Sequence, residues 1–450
     1  MKRWYFLTIA ALASVLVPAV MLESVIYSRV LAIAGLCLLL WLSEIVPPFV
    51  PTLLLWSLIP ILLGPLDDGK FSLSNVLSWA VDPVIALFFG GFVLGAATQA
   101  QGLDKRLADF ALSSSKGSFG RLLLFVIGAT AFLSMWMSNI AAAALVFAGL
   151  QSILSAFDED HILRRTLLIG VALGADLGGM ATPIGTGPNA IAIAAISPTQ
   201  QISFVSWMAF ALPLTVGMLA LSYFFLLWRS NGFRSSGVGS LPTQTIMLVE
   251  ERSPEGSKRI GFIAILVATI ALWLTEPIHG VPAAVIALGA SAAIFISRVL
   301  SKRDLVKIDW STLLLIAGGI TLGRLLEQSS ILKSLAAHAP FADLHPALGL
   351  FLLCLTSAIL SALMSNTATA VLVIPLAMAL IPSPSTAILV AISASFGIPF
   401  IISTPPNAMA FGQGGLKVTD MLWPGLVLMI LGCAFVSLTG PAFLRQVGIP

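Results

Sequence analysis

The chain has 450 residues, 58% of them hydrophobic and 10% charged, with a net charge of +3 and a mean hydropathy of +1.02. So little charge cannot cover the surface of a soluble protein of this length, so the solvent for most of the chain is lipid. Cys37, Cys354 and Cys433 lie far apart in apolar runs with no metal or redox spacing, and no basic run interleaved with aromatics points to nucleic acid.

At roughly 20 apolar residues per crossing, the length predicts an all-α polytopic membrane protein of about 11 transmembrane helices with short loops. The first apolar stretch, Phe6 to Met21, follows Lys2 and Arg3 and lacks a small-x-small cleavage site before Glu23. It reads as a retained N-terminal helix within residues 1–28. Hydropathy and helix breakers then place helices near 29–46, 49–64 and 83–101, a hairpin-like pair at 120–136 and 140–156, a broken helix at 162–180 and 188–196, and a helix at 206–228. A polar stretch rich in Ser, Gly and Glu, residues 229–259, reads as a linker. Beyond it come 260–275, 281–297 and 309–327, a second pair at 346–363 and 367–381, a second broken helix at 385–402 and 406–411, and 421–443.

Charge orients this series. With the N-terminus cytoplasmic and each pair re-entrant, all of the 23 Lys and Arg except Arg29, Lys70, Arg324, Lys333 and Arg445 fall on the cytoplasmic side. The linker is then cytoplasmic and the C-terminus lies outside.

The two halves repeat each other. Trp41-Leu42-Ser43-Glu44 recurs as Trp273-Leu274-Thr275-Glu276, and Gly90-Gly91 as Gly318-Gly319. Ser138-Asn139 recurs as Ser365-Asn366, and Gly185-Thr186-Gly187-Pro188-Asn189 as Ser403-Thr404-Pro405-Pro406-Asn407. Same order at nearly constant separation marks a duplication, 29–228 against 260–450. Counting crossings inverts one copy relative to the other, the plan of alternating-access transporters with a site near the midplane.

Each half thus carries a Ser-Asn at a hairpin turn and a Thr-x-Pro-Asn break inside a membrane helix. Proline lacks an amide proton and glycine tolerates unusual dihedrals, so the breaks free carbonyls and amides that lipid cannot satisfy. Such groups must line a cavity or be buried in protein. Freed carbonyls with Ser and Asn oxygens suit a hard monovalent cation, and helix N-termini with hydroxyls favour an anion.

The intact Ser365-Asn366-Thr367 with the paired Thr-Pro-Pro-Asn break resembles the divalent anion:sodium symporter family of dicarboxylate, citrate and sulfate carriers, over nearly the whole chain. The resemblance implies sodium-driven import of a small dianion such as a C4-dicarboxylate, an elevator-like motion, a homodimer and a place in the inner (plasma) membrane. It implies a first sodium site from Ser134, Ser138, Asn139 and the Gly185 carbonyl, and a second from Asn366 with Ser361, Met364 and Ser403, the last two mainly through carbonyls. It implies substrate contacts from Ser138, Asn139, Thr186, Gly187, Ser365, Asn366, Thr367, Thr404 and Pro405. Ile140 departs from the pattern, standing where the family commonly has a hydroxyl.

Other polar residues read in two ways. Asp176, in mid-helix, is either a cation- or proton-coupling group or a satisfied hydrogen-bonding partner near the break. Glu44 and Glu276 are expected to make equivalent helix-end contacts, and Arg324 to pair with Glu327 three residues on. His161, His279, His338 and His345 fall at loops or helix ends without catalytic spacing, and no nucleophile–base pair marks an enzyme. A sodium-independent exchanger, an arsenite or sodium/proton carrier and a channel remain alternatives. No Lys or Arg occurs from Leu122 to Asp160, from Thr166 to Trp228 or from Leu335 to Leu416, which favours mobile cations over fixed ones.

Overall fold

A computed structural model describes residues 24–43, 45–102, 118–155, 157–197, 200–230, 256–331 and 344–449. The expected N-terminal helix, most of the linker and Glu44 lie outside these residues. The described residues form helices and no strand.

In chain order the main helices are α1 (Val25–Ser43), α2 (Val50–Leu63), α3 (Pro83–Ala100), α4 (Phe119–Ser134), α5 (Asn139–Leu154), α6 (Ile162–Gly178), α7 (Gly187–Ile196) and α8 (Phe204–Arg229). The second series is α9 (Gly256–Leu274), α10 (Ala283–Ile296), α11 (Trp310–Gln328), α12 (Pro346–Leu363), α13 (Asn366–Leu380), α14 (Pro384–Ala394), α15 (Pro405–Gly412) and α16 (Val418–Gln446). Among the described residues α3, α8, α12 and α16 are long and apolar enough to cross a membrane singly, and α2, α4, α5, α7, α10, α13 and α14 are shorter apolar helices.

Proline sets many of the starts. Pro83, Pro346, Pro384 and Pro405 open their helices in the first turn, where a missing N–H costs nothing. One boundary differs from the sequence expectation: α14 stops at Ala394 instead of running to 402, and Ser395–Ser403 forms turns. Gly397 and Pro399 account for this, because neither sustains helix and proline removes a backbone donor.

The packing obeys the repeat. α3 lies on α10 as α11 lies on α2, α4 on α6 as α12 on α14, α7 on α13 as α15 on α5, and α6 on α15 as α14 on α7. Each exchange swaps one half for the other, so the contacts of the two series match pair by pair. The repeated glycines explain the close approaches: a Cβ on Gly90 would overlap Ala287 of α10, and one on Gly318 would overlap Thr52 of α2. Thr52 Oγ1 uses that proximity to donate to the Leu314 carbonyl at 2.9 Å. Small residues that bring backbones together are the usual means of helix association in lipid.

Both motif tryptophans tie a helix end to the chain that follows, Trp41 Nε1 donating to the Pro48 carbonyl at 2.8 Å and Trp273 Nε1 to that of Ala283 at 3.0 Å. Glu276 accepts from the Phe204 amide at 2.8 Å and the Ala283 amide at 3.2 Å, so its carboxylate caps α8 and the start of α10 together. At one edge of the bundle Asp420 pairs with Arg165 at 3.1 Å and with Arg229, joining α6, α8 and α16.

Candidate functional site

The two hairpin tips have the same internal geometry. Ser134 Oγ lies 2.7 Å from Asn139 Oδ1, five residues on, and Ser361 Oγ lies 2.7 Å from Asn366 Oδ1. Ser138 caps α5 by accepting from the Ala141 amide at 3.3 Å, and Ser365 caps α13 by accepting from the Ala368 amide at 3.2 Å. A capping serine followed by asparagine at the first helical position starts a helix at the tip and aims its positive end outward.

The breaks are stapled in matching fashion. Asn189 Nδ2 donates to the carbonyls of Thr182 at 2.8 Å and Gly179 at 3.2 Å. Asn407 Nδ2 donates to those of Ile398 at 2.9 Å and Phe400 at 3.0 Å. The asparagine of each motif therefore holds the irregular backbone that proline and glycine create, supplying the donors lipid lacks.

Tip and break meet. A Cβ on Gly179 would fall 2.7 Å from Asn139 Oδ1 and 2.9 Å from the Gly185 carbonyl oxygen, so these two oxygens face one small space that glycine leaves open. Thr182 Oγ1 donates to the Met135 carbonyl at 2.6 Å, fastening the first break to the first tip. The second tip reaches across the repeat, where Thr367 rests on Gly187.

The sequence-derived residues fall into three groups. Ser134, Asn139 and Gly185 are brought together around Gly179, with Ser138 at the same tip. Ser361 and Asn366 are paired, and Met364 ends α12 with extended backbone, φ −143° and ψ 179°, which turns it out of helical geometry. Ser403 is engaged in its own break, donating to the Phe400 carbonyl at 2.6 Å and lying 3.2 Å from Asn407 Nδ2. Thr186 and Thr404 are the N-caps of α7 and α15, Gly187 and Pro405 are the first residues of those helices, and Ser365 and Thr367 flank Asn366. The neutral oxygens of Ser134, Asn139 and Gly185, and those of Ser361 and Asn366, are of the kind that could hold an alkali cation.

Two features escaped the sequence reading. Thr404 Oγ1 donates to Asp176 Oδ2 at 2.8 Å, linking the second break to α6 of the first half. At the first tip, Trp136 stacks on Trp273, with ring centroids 6.3 Å apart, and Phe204 stacks on the same Trp273 at 4.6 Å. Alternating aromatics in a membrane sequence give no periodic signal that could reveal either contact. The second tip is open by comparison: a cavity of about 420 Å³ lined by Trp41, Pro47, Pro48, Leu315 and Ala368 borders Ser365. Away from both tips, Arg324 pairs with Glu327 at 3.1 Å and lines a pocket of about 230 Å³ with Asp82 and Gln328.

A helical membrane protein with paired broken helices and paired hairpin tips is a transporter by architecture, and comparison with known proteins agrees. The citrate transporter family matches residues 20–385, and the chain belongs to it. It is 30% identical to an uncharacterized transporter of Haemophilus influenzae, over 92% of this chain and 91% of that one. It is 28% identical to the inorganic phosphate transporter PHO87 of Saccharomyces cerevisiae over 92% of this chain and 45% of that one. It is 25% identical to the sodium-dependent dicarboxylate transporter SdcS of Staphylococcus saprophyticus over 88% and 82% of the two chains. The YdaH transporter of Alcanivorax borkumensis shares the fold, with a TM-score of 0.61 at 15% identity over 90% of this chain and 100% of that one. The resemblance to the divalent anion:sodium symporter family holds, and the protein is a multi-pass membrane transporter, not an enzyme.

Proposed function

We propose that this chain imports a small divalent anion, a C4-dicarboxylate, together with sodium. The observation that carries the reading is the pair of tips: each sets a Ser-Asn oxygen pair at the start of a helix, and the stretches that form tips and breaks contain no Lys or Arg. Helix N-termini at α5, α7, α13 and α15 favour the anion, and neutral side-chain and carbonyl oxygens favour the cation. A dianion in a membrane interior needs compensating charge, because an isolated charge there costs several kcal/mol even after relaxation. Sodium at the tips supplies it.

In this reading the sodium ligands are Ser134, Ser138, Asn139 and Gly185 on one side and Ser361, Met364, Asn366 and Ser403 on the other. The carboxylates meet Ser138, Asn139, Thr186, Gly187, Ser365, Asn366, Thr367, Thr404 and Pro405. Residues 29–228 and 260–450 are the inverted repeats, joined by a cytoplasmic linker, in a plasma-membrane homodimer with its N-terminus inside and its C-terminus outside. The tips and broken helices move as an elevator against the remaining helices. The SdcS relative supports sodium and dicarboxylate.

Ile140, exposed where a hydroxyl is common, and the phosphate-transporting relative favour a second reading, in which the dianion is inorganic phosphate. Counterflow into proteoliposomes from a panel of succinate, malate, citrate, sulfate and phosphate separates the two. Fastest exchange of succinate or malate is expected. Fastest exchange of phosphate would replace the dicarboxylate reading.

A further inference from the structure

Asp176 is 1% exposed, in the last turn of α6. One of its oxygens is accounted for, since Oδ2 accepts from Thr404 Oγ1 at 2.8 Å while the same hydroxyl accepts from the Asn407 amide at 3.3 Å. Oδ1 is buried and accepts no hydrogen bond of ordinary geometry among the described residues, the Asn139 amide being the nearest donor to the carboxyl. The side chain that interacts with the carboxyl besides Thr404 is Asn139, and no lysine or arginine of the described residues pairs with it. Gly178 and Gly397 make the same close approach, to Ala131 and Ala358, so the counterpart of Asp176 in the other half is Ser395, and the acid belongs to one half only. Neither helix capping nor the sequence repeat explains it.

A carboxylate without a cationic partner is costly to bury. It also stands beside helix starts that would otherwise attract an anion, and it repels a dianion. The first tip nevertheless brings oxygens to this turn of α6: Ser134 Oγ lies 2.6 Å from the carbonyl of Ala175, the residue before Asp176, and 2.7 Å from Oδ1 of Asn139, whose side chain also reaches the carboxyl. We propose that Asp176 is a cation ligand, forming with Asn139 of the first tip and Thr404 of the opposite half a site for a monovalent alkali cation, sodium during transport. This rests on the sodium-coupled reading above and goes beyond it. The first cation site carries a full negative charge, so its occupant is held before the anion arrives and the dianion binds second. Until the carboxylate is neutralised, the dianion is kept out.

The test is thermal unfolding of the purified full-length protein in detergent, titrated with sodium chloride against choline chloride at constant ionic strength and without dianion. A ligand that binds only the folded state raises the melting temperature in proportion to its affinity. Wild type should be stabilised by sodium and not by choline, and Asp176→Asn and Asp176→Ser should each need about tenfold more sodium for the same shift. Asp176→Glu, which keeps the charge, should retain the response. Two neutral variants of different size guard against a folding failure in one of them. A sodium midpoint unchanged in either neutral variant overturns the assignment of Asp176 alone. A wild type that sodium does not stabilise overturns the sodium-coupled reading as well.

Discussion

Trp136 and Trp273 stack with their ring planes 2° from parallel, so the tip of the first hairpin is held by a residue from the opposite half of the chain. Phe204 continues the stack on Trp273. Aromatic pairs of this kind contribute about 0.5–1.5 kcal/mol beyond the area they bury. If the tip moves during transport, this contact is one that must open.

Removing the ring should therefore expose the tip. The native cysteines, Cys37, Cys354 and Cys433, are buried and give little labelling background. In an Ala142→Cys background, where the reporter position is fully buried, Trp136→Ala should raise the rate of maleimide labelling by roughly 2- to 10-fold, the equivalent of one lost aromatic pair. Trp136→Phe should change it less. A labelling rate unaltered by Trp136→Ala would mean that the stack does not restrain the tip.

Gly187 permits the contact with Thr367. Any side chain at 187 overlaps the Thr367 hydroxyl and methyl, so Gly187→Ala should destabilise the folded protein by about 1–3 kcal/mol, the usual cost of overpacking. Adding Thr367→Ala should recover part of the loss, since it removes two of the three overlapped atoms. Thermal unfolding of the single and double variants measures the coupling. Strictly additive losses would place the strain elsewhere.

Ile140 and Thr367 occupy equivalent positions after the Ser-Asn pairs, yet Ile140 is 49% exposed while Thr367 rests on Gly187. A hydroxyl at 140 can add a hydrogen bond to a charged ligand worth roughly 1.5–3 kcal/mol. Ile140→Thr should accordingly change the ranking among succinate, malate, citrate, sulfate and phosphate in counterflow. An identical ranking would show that position 140 does not contact substrate.

Much of this architecture could be read from the sequence, because lipid imposes strict rules. The helices, the hairpins and both breaks follow from hydropathy and from proline and glycine, and most boundaries fall within a few residues of those observed. The repeated Ser-Asn pairs form matched helix starts after the two hairpin turns, and the asparagine of each break staples irregular backbone, a role the sequence did not suggest. Glu276 does make a helix-end contact, and Arg324 does pair with Glu327. What could not be read is contact between distant segments. Thr404 and Asp176 are 228 residues apart, and no local pattern brings them within 2.8 Å. The early end of α14 is a local failure of another kind: the apolar run continues to Ile402, and hydropathy alone does not register that Gly397 and Pro399 end the helix.

In the proposed function, sodium held by oxygens at the two hairpin tips balances the dianion. Succinate uptake into proteoliposomes with an inward sodium gradient, compared with an equal choline gradient, tests it most directly. Accumulation is expected with sodium and none with choline, with Asn139→Ala and Asn366→Ala losing sodium dependence and substrate affinity together. Equal uptake with choline would contradict it and point to a sodium-independent exchanger.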